Sequence, residues 1–329
     1  MLHTLYGHAA AMRRAWYERP GARRRLERPV VSVGNLSVGG TGKTPLVAAI
    51  ATWLVARGER PAILSRGYAR RVASAAPTIV SDGTRILADA AAAGDEPLML
   101  ARAVPGAVVV VAADRHAAGV VAERTLGATV HVLDDGFQHL ALARDLDIVV
   151  TAPGAIAADA VLPKGRLREP ATALTRASLL VVVGGTDAEA EAEARAWAVP
   201  RGIGATRRLG APVVVWGAPP PPAPRVVAMA GIGQPRQFLD GLAAAGCDVA
   251  DAVLFRDHHW YSAADIAAVR RAVETAGAWG VATTAKDAVR LEGLAVPAPP
   301  SLAAWPLALD VPRWDVLGEA IAAVLGRAR

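Results

Sequence analysis

The run Ser37-Val38-Gly39-Gly40-Thr41-Gly42-Lys43-Thr44 constrains this chain more than any other part of it. Before it lies a short β-branched stretch, residues 30–35. After it, residues 45–56 read as helix. A glycine-rich turn that leaves a strand, opens a helix and ends in Lys-Thr is the pattern of a phosphate-binding P-loop. Glycines let backbone N–H groups point at phosphate oxygens, and the helix N-terminus adds positive potential. Gly39, Gly40, Thr41 and Gly42 would form that cradle. Lys43 would reach the outer phosphates and Thr44 would hold Mg²⁺. Ser37 stands where the common pattern begins with glycine. Val38 stands where the dimerising ATPase class of P-loops carries lysine, which argues against that class.

A P-loop needs an α/β sheet around it, and the rest of the chain supplies the alternation. Strands are expected at 62–64, 107–111, 129–133, 148–150, 179–183 and 225–230. Helices are expected near 96–103, 117–126, 188–198 and 235–245. Short apolar strands alternating with helices imply a doubly wound, mainly parallel sheet of the P-loop NTPase type. The proline-rich stretch at 217–224 reads as an interdomain linker. The expected organisation is a basic amphipathic segment (1–28), a P-loop kinase domain (29–216), that linker, and a second, smaller α/β domain (225–329). Residues 295–306, rich in Ala and Pro, read as loop.

Charge narrows the functional classes. The 329 residues carry a formal +6. Residues 1–30 hold seven arginines and two glutamates, so the remainder is nearly balanced, with 29 basic against 28 acidic groups. A basic end on a neutral body argues against a nucleic-acid-binding protein. No segment reads as the site of an obligate protein partner. A single cysteine, Cys247, excludes a disulfide framework and a cysteine zinc site. No uncharged apolar run approaches the ~18 residues of a spanning helix. The apolar start precedes its arginines, the reverse of a secretory signal. Residues 2–17 instead place Leu2, Leu5, Tyr6, Met12 and Trp16 near one helical face, suited to an anionic membrane surface or to packing on the P-loop domain. Only three lysines occur, Lys43, Lys164 and Lys286, so each marks a place where a compact ammonium could matter.

Further candidates follow from local pattern. The apolar strand at 129–133 runs into Asp134-Asp135-Gly136, where hard oxygen ligands for Mg²⁺ belong in a P-loop protein. Asp95, beside Glu96 and before Pro97, reads on physics alone as a helix N-terminal acid. His258-His259 is an unusual pair in a chain with seven histidines. Gly231-Ile232-Gly233 is half a dinucleotide fingerprint, with Arg236 at its third glycine position, and reads as a tight turn. Lys286-Asp287 reads equally as a phosphate contact or an ion pair.

Together, the segments at 33–45, 65–68, 94–97, 134–139, 162–170, 230–233, 257–259 and 283–291 resemble the tetraacyldisaccharide 4′-kinase family, the lipid A 4′-kinases, in the family's order. The resemblance implies ATP-dependent phosphorylation of the 4′-hydroxyl of a tetraacylated glucosamine disaccharide 1-phosphate, with Mg²⁺. The implied location is the cytoplasmic face of a Gram-negative inner membrane. It also implies that Asp95 is the base for the sugar hydroxyl, that His258 in Asp257-His258 pairs with it, and that Asp134 and Asp135 are the metal-associated acids. Tyr68, Arg115, His139 and Arg168 fall where the family contacts its lipid substrate. Two rivals remain: a P-loop kinase of a soluble metabolite, and a nucleotide-switched membrane-associated protein. The basic amphipathic N-terminus speaks against the first. Val38 and the Asp95/His258 pair speak against the second.

Overall fold

The computed structural model describes residues 12–68, 70–72, 74–292, 294 and 301–327. Its larger sheet uses β1 (Val30–Gly34), β2 (Pro61–Ser65), β3 (Thr78–Asp82), β4 (Val108–Val111), β5 (Val130–Asp134), β6 (Leu146–Thr151), β7 (Leu179–Val183) and β8 (Gly202–Leu209). The smaller uses β9 (Val213–Trp216), β10 (Arg225–Ala230), β11 (Asp248–Leu254), β12 (Gly280–Thr284) and β13 (Leu302–Trp305). The last strand, β14 (Leu307–Asp310), returns to the larger sheet. The orders are β14-β8-β7-β6-β1-β5-β2-β4-β3 and β11-β10-β12-β13-β9. The pairings are parallel except β3 with β4, β14 with β8 and β13 with β9.

The helices are α1 (Lys43–Val55), α2 (Ala90–Ala93), α3 (Asp95–Ala103), α4 (Arg115–Leu126), α5 (Asp187–Ala196), α6 (Pro235–Ala244), α7 (Ala263–Ala276), α8 (Ala285–Leu291) and α9 (Trp314–Arg327). Strands such as β4, four valines in a row, are buried on both faces because helices cover both. One face packs Val31, Val33, Val109 and Val132 against Leu46 and Ile50 of α1, Leu98 of α3 and Leu317 of α9. The other packs Val30, Leu64 and Val110 against Ala118 and Ala122 of α4, and Val182 against Ala190 of α5. Alternate residues of one strand therefore serve opposite layers. Truncating a fully buried residue such as Ile50 to alanine would cost about 2–5 kcal/mol.

Sheet membership corrects the expected boundaries. β9 lies within 29–216 yet pairs with β13 of the smaller sheet. The proline-rich 217–224 stretch therefore joins β9 to β10 inside one sheet and links no domains. β14 and α9 lie within 225–329 yet complete the larger unit, through pairing with β8 and packing beside α1. The chain crosses between the sheets twice, after β8 and after β13. The crossings touch, Gly210 N donating to the Pro306 carbonyl at 2.8 Å. The segment expected as loop at 295–306 contains β13, which a flanking parallel strand, β12, recruits into the sheet.

Of the expected N-terminal helix, residues 12–17 are helical and the rest lies outside the described residues. Met12 and Trp16 are exposed. From Arg24 onward the segment is fastened to the larger unit: Arg24 forks onto Asp114, Arg25 meets Asp145 at 2.9 Å, and Leu26 is buried.

Candidate active site

The P-loop leaves β1 at the carboxyl edge of the sheet. Gly39 and Gly42 have φ of 123° and 99°, values a side chain rarely tolerates, and Gly42 caps α1 without any side-chain bond. Asn35 Nδ2 donates to Thr41 Oγ1 at 3.1 Å, bracing the turn, while Gln138 Nε2 donates to the Asn35 carbonyl at 2.9 Å. Gly34 is required for another reason: a Cβ there would meet Phe137 Cβ at 2.5 Å. The 33–45 and 134–139 segments are thus one packed unit. Two arginines lean over the loop: Arg166 Nη2 donates to the Val38 carbonyl at 2.8 Å, and Arg207 Nη2 to the Gly40 carbonyl at 3.3 Å.

β5 carries Asp134 and Asp135 beside the loop, because β1 and β5 are neighbours in register from Val30 to Val33. Lys43 Nζ lies 3.3 Å from Asp135 Oδ1, and Arg168 Nη1 donates to Asp135 Oδ2 at 2.7 Å. Burial raises the Asp135 carboxyl, but Lys43 and Arg168 outweigh it and leave it below its usual value. Asp134 behaves oppositely. Burial, then repulsion from Glu96 and Asp135, pushes it up to about 7 despite Lys43 and Arg115. Among the described residues its only side-chain partner is the Ser65 hydroxyl, at 3.4 Å from Oδ2, and its Oδ1 is buried without one. Adjacent acids thus sit in different protonation regimes.

A second cluster joins the two sheets. Asp95, buried at the first turn of α3, faces residues of the smaller unit. His258 Nδ1 lies 2.9 Å from Asp95 Oδ2, and Arg290 Nε donates to the same oxygen at 2.9 Å, with Arg290 Nη2 closing the fork. Burial alone would raise the Asp95 carboxyl. The hydrogen bond from His258 and the charges of Lys286 and Arg290 prevail, holding it well below the usual carboxylate range. Arg290 is itself buried and is held by the Gly231 carbonyl at 3.0 Å and Asp287 Oδ1 at 3.1 Å. Asp287 is braced by Tyr261 Oη at 2.8 Å and Thr284 Oγ1 at 2.6 Å. The Gly231-Ile232-Gly233 turn thus anchors Arg290, and no dinucleotide motif is completed.

Among the described residues only four non-glycines have positive φ, and two are site residues: Asp135 at 55° and His258 at 59°. Each costs on the order of 1 kcal/mol and persists because surrounding contacts impose it.

Most expected site residues converge. Gly39 to Thr44, Asp134, Asp135 and Arg168 gather around the P-loop. Asp95, Asp257 and His258 form the second cluster, with Asp257 Oδ1 3.3 Å from Lys286 Nζ. Tyr68, 70% exposed, sets its ring edge to the His258 ring at 5.4 Å. Arg115 and His139 are more enclosed than a lipid contact suggests. Arg115 donates to the Ala112 and Ala113 carbonyls at 3.3 and 3.2 Å, and burial lowers it to about 10. Burial first, then Arg115, lowers His139 to about 4. Glu96, Arg207, Tyr261 and Arg290 were given no role by the sequence, and Asp287, expected to pair with Lys286 or with phosphate, pairs instead with Arg290. For Arg290 the signal was its place in the 283–291 segment; for Arg207, on β8 between β14 and β7, there was none.

The matches to known proteins agree with this geometry. The model of the tetraacyldisaccharide-1-P 4′-kinase family matches residues 1–326. The tetraacyldisaccharide 4′-kinase of Geobacter metallireducens is 46% identical over 275 residues, covering 82% of this chain and 80% of that one. Its counterpart in Geobacter sulfurreducens is 43% identical over 294 residues, covering 88% and 82%. The crystal structure of LpxK from Aquifex aeolicus in complex with ATP superposes with a TM-score of 0.78 at 29% identity, covering 98% of this chain and 97% of that one. With motifs, fold and site geometry in accord with a family model that spans nearly all of its length, the chain belongs to the tetraacyldisaccharide 4′-kinase family.

Proposed function

We propose that the chain transfers the γ-phosphoryl group of ATP in line to the 4′-hydroxyl of a tetraacyldisaccharide 1-phosphate, with Asp95 accepting the hydroxyl proton. Family membership makes it a tetraacyldisaccharide 4′-kinase of lipid A biosynthesis; the proposal concerns how it works. The observation that carries it is the asymmetry of Asp95. Three donors, His258 Nδ1 and two nitrogens of Arg290, converge on Oδ2, whereas Oδ1 accepts only the Glu96 N–H at 2.8 Å. Oδ1 therefore keeps a lone pair for a substrate hydroxyl. The depressed carboxyl is ionised across the physiological range. It is a weak base, which suits a loose phosphoryl-transfer transition state in which the proton leaves late.

The phosphate side supports the same reading. Lys43, the P-loop N–H groups and Arg166 surround the place where a triphosphate would lie. Among the described residues no three His, Cys, Asp or Glu gather into a metal cluster. Mg²⁺ with nucleotide needs fewer protein ligands, one or two carboxylates beside phosphate oxygens. The unpartnered Asp134 Oδ1 fits that need, with Asp135 and Thr44 beside it. Mg²⁺ there would offset phosphate charge.

The acceptor carries four acyl chains, so it resides in a bilayer and the enzyme works at its surface. No helix among the described residues is long and apolar enough to cross a membrane. The arginine-rich N-terminus, with Met12 and Trp16 exposed, supports peripheral binding to an anionic leaflet, the cytoplasmic face of the inner membrane. The test uses γ-labelled ATP with a tetraacyldisaccharide 1-phosphate, a soluble sugar, or no acceptor. Transfer to the lipid alone is expected. Equal transfer to the soluble sugar, or hydrolysis without an acceptor, would overturn the reading.

A further inference from the structure

Lys286 is one of three lysines in the chain, and it reaches the second cluster from the first turn of α8. Its Nζ lies 3.3 Å from Asp257 Oδ1, 3.4 Å from Glu96 Oε1, 3.4 Å from His258 Nε2 and 3.9 Å from Asp95 Oδ2. We propose that Lys286 is a positioning residue that locks His258 in its Nδ1–H tautomer and so keeps it a donor to Asp95. The proposal rests on the reading of Asp95 as the base.

The argument is one of donors and acceptors. An ammonium has three protons and no lone pair, so the imidazole nitrogen facing it at hydrogen-bond distance must be the unprotonated one. That nitrogen is Nε2. The other, Nδ1, faces the ionised Asp95 carboxylate, which can only accept, so Nδ1 must carry the proton. An Nε2–H tautomer would turn a lone pair on the carboxylate and a proton on the ammonium. An imidazolium would leave Nε2–H pointing at Lys286. Asp257 Oδ1 lies 3.8 Å from Nε2, beyond hydrogen-bond range, and spends itself on Lys286 and the His258 backbone N–H. Glu96 faces Lys286, not the ring, Arg290 acts on Asp95 from the other side, and Tyr68 presents a ring edge.

Without Lys286 the ring would lie between Asp95 and Asp257 with nothing to hold a lone pair on Nε2. His258 would then be free to reorient, and its alignment with Asp95 would loosen. Glu96 and Asp95 belong to the larger unit, whereas Lys286, Asp257 and His258 belong to the smaller. Nε2 therefore meets Lys286 within the smaller unit, and Nδ1 meets Asp95 only where the two units join.

The test reads the tautomer without turnover. In full-length protein labelled with ¹⁵N-histidine, two-bond ¹H–¹⁵N spectra distinguish Nδ1–H, Nε2–H and imidazolium forms. His258→Gln assigns the relevant ring. Wild type should show Nδ1–H for His258, and Lys286→Met should lose that pattern. With it, kcat should fall about 10-fold while KM for ATP stays within about twofold. Should Lys286→Met fail to fold, Lys286→Arg serves, since a guanidinium is also a pure donor and should retain the Nδ1–H pattern. An Nε2–H or imidazolium His258 in wild type, an unchanged pattern in a folded Lys286→Met, or a lost pattern in a folded Lys286→Arg would each overturn the proposal. Undiminished turnover in Asp95→Asn would instead overturn the base reading and leave the tautomer result standing.

Discussion

The P-loop pocket and the Asp95 cluster are held together differently. The pocket is local. Its loop, its lysine and its helix come from one continuous run, and its acids come from the strand paired beside that run. The Asp95 cluster is assembled across units. Asp95 belongs to α3, while His258, Lys286 and Arg290 belong to the smaller sheet and its helices. The pocket therefore survives any movement that leaves the larger sheet intact. The cluster exists only while α3 and α8 are in contact.

The strongest way to break the comparison is to remove the base. Asp95→Asn should lower kcat by about 10²–10⁴-fold, and His258→Ala by less, with the double variant far from additive because the two act as one unit. Nucleotide affinity should persist in all three, measured by equilibrium binding of labelled ATP. Loss of ATP binding would show that the pocket and the cluster are not separable.

The complementary break removes Lys43. Lys43→Ala should lower kcat at least ~10²-fold, since lost transition-state donors typically cost that much. Here nucleotide affinity should fall too, while the tautomer of His258 stays as in wild type. Near-normal turnover with the fold intact would remove the P-loop from the mechanism.

A smaller effect sharpens the electrostatic contrast between the acids. Asp134 has a folded value of about 7, above the unfolded carboxylate. The native state therefore binds its proton more tightly than the unfolded chain does. Ionisation between about pH 4 and 7 works against folding, so this group lowers stability as pH rises through that window. In metal-free buffer Asp134→Asn should be more stable than wild type at pH 8, and the gap should close below pH 4. Urea unfolding at the two pH values measures it. The same variant should lose turnover, the trade expected of a residue kept for chemistry. Asp135, held below its usual value by Lys43 and Arg168, should show no such gain on conversion to Asn.

The smallest effect concerns the membrane. Deleting residues 1–17 removes Arg13, Arg14 and the exposed Trp16 but spares the docked stretch from Arg24 onward. Binding to vesicles of anionic phospholipid should weaken by roughly 1 kcal/mol per arginine lost, and the wild type should bind less well in high salt. ATP affinity should stay unchanged. Equal vesicle binding by the shortened chain would move the contact surface elsewhere, for instance towards Arg166 and Arg168.

These predictions follow the line between what could be read from the chain and what could not. The strand–loop–helix at 30–56, the acids ending β5 and the alternation of the larger sheet were legible, because their cause is local. Periodicity, glycine placement and a strand's carboxyl end are properties of neighbours in sequence. Asp95 illustrates the limit. Its surroundings in the chain, a glycine before it and a glutamate and proline after it, are those of any helix N-terminus. Only family resemblance singled it out.

What the tertiary structure alone decided has one physical origin: edges and ion pairs are settled between segments that do not know of each other locally. β9 and β14 are four-residue strands whose sheets are chosen by antiparallel partners, β13 and β8. Hence the proline-rich stretch could look like a linker and prove to be a connection within a sheet. Arg290 could not be told from any helical arginine until burial left Asp95, Asp287 and the Gly231 carbonyl as its partners. Lys286 stood out in the sequence by rarity, but its ring of acceptors comes from α3 and from the loop before α7. A buried charge must find its compensation wherever the fold puts it, and that place is a tertiary fact. The glycine-rich turn and its lysine were written in one stretch of sequence; the company that Asp95 and His258 keep was decided where two sheets meet, because their charged partners come from segments far apart in the chain.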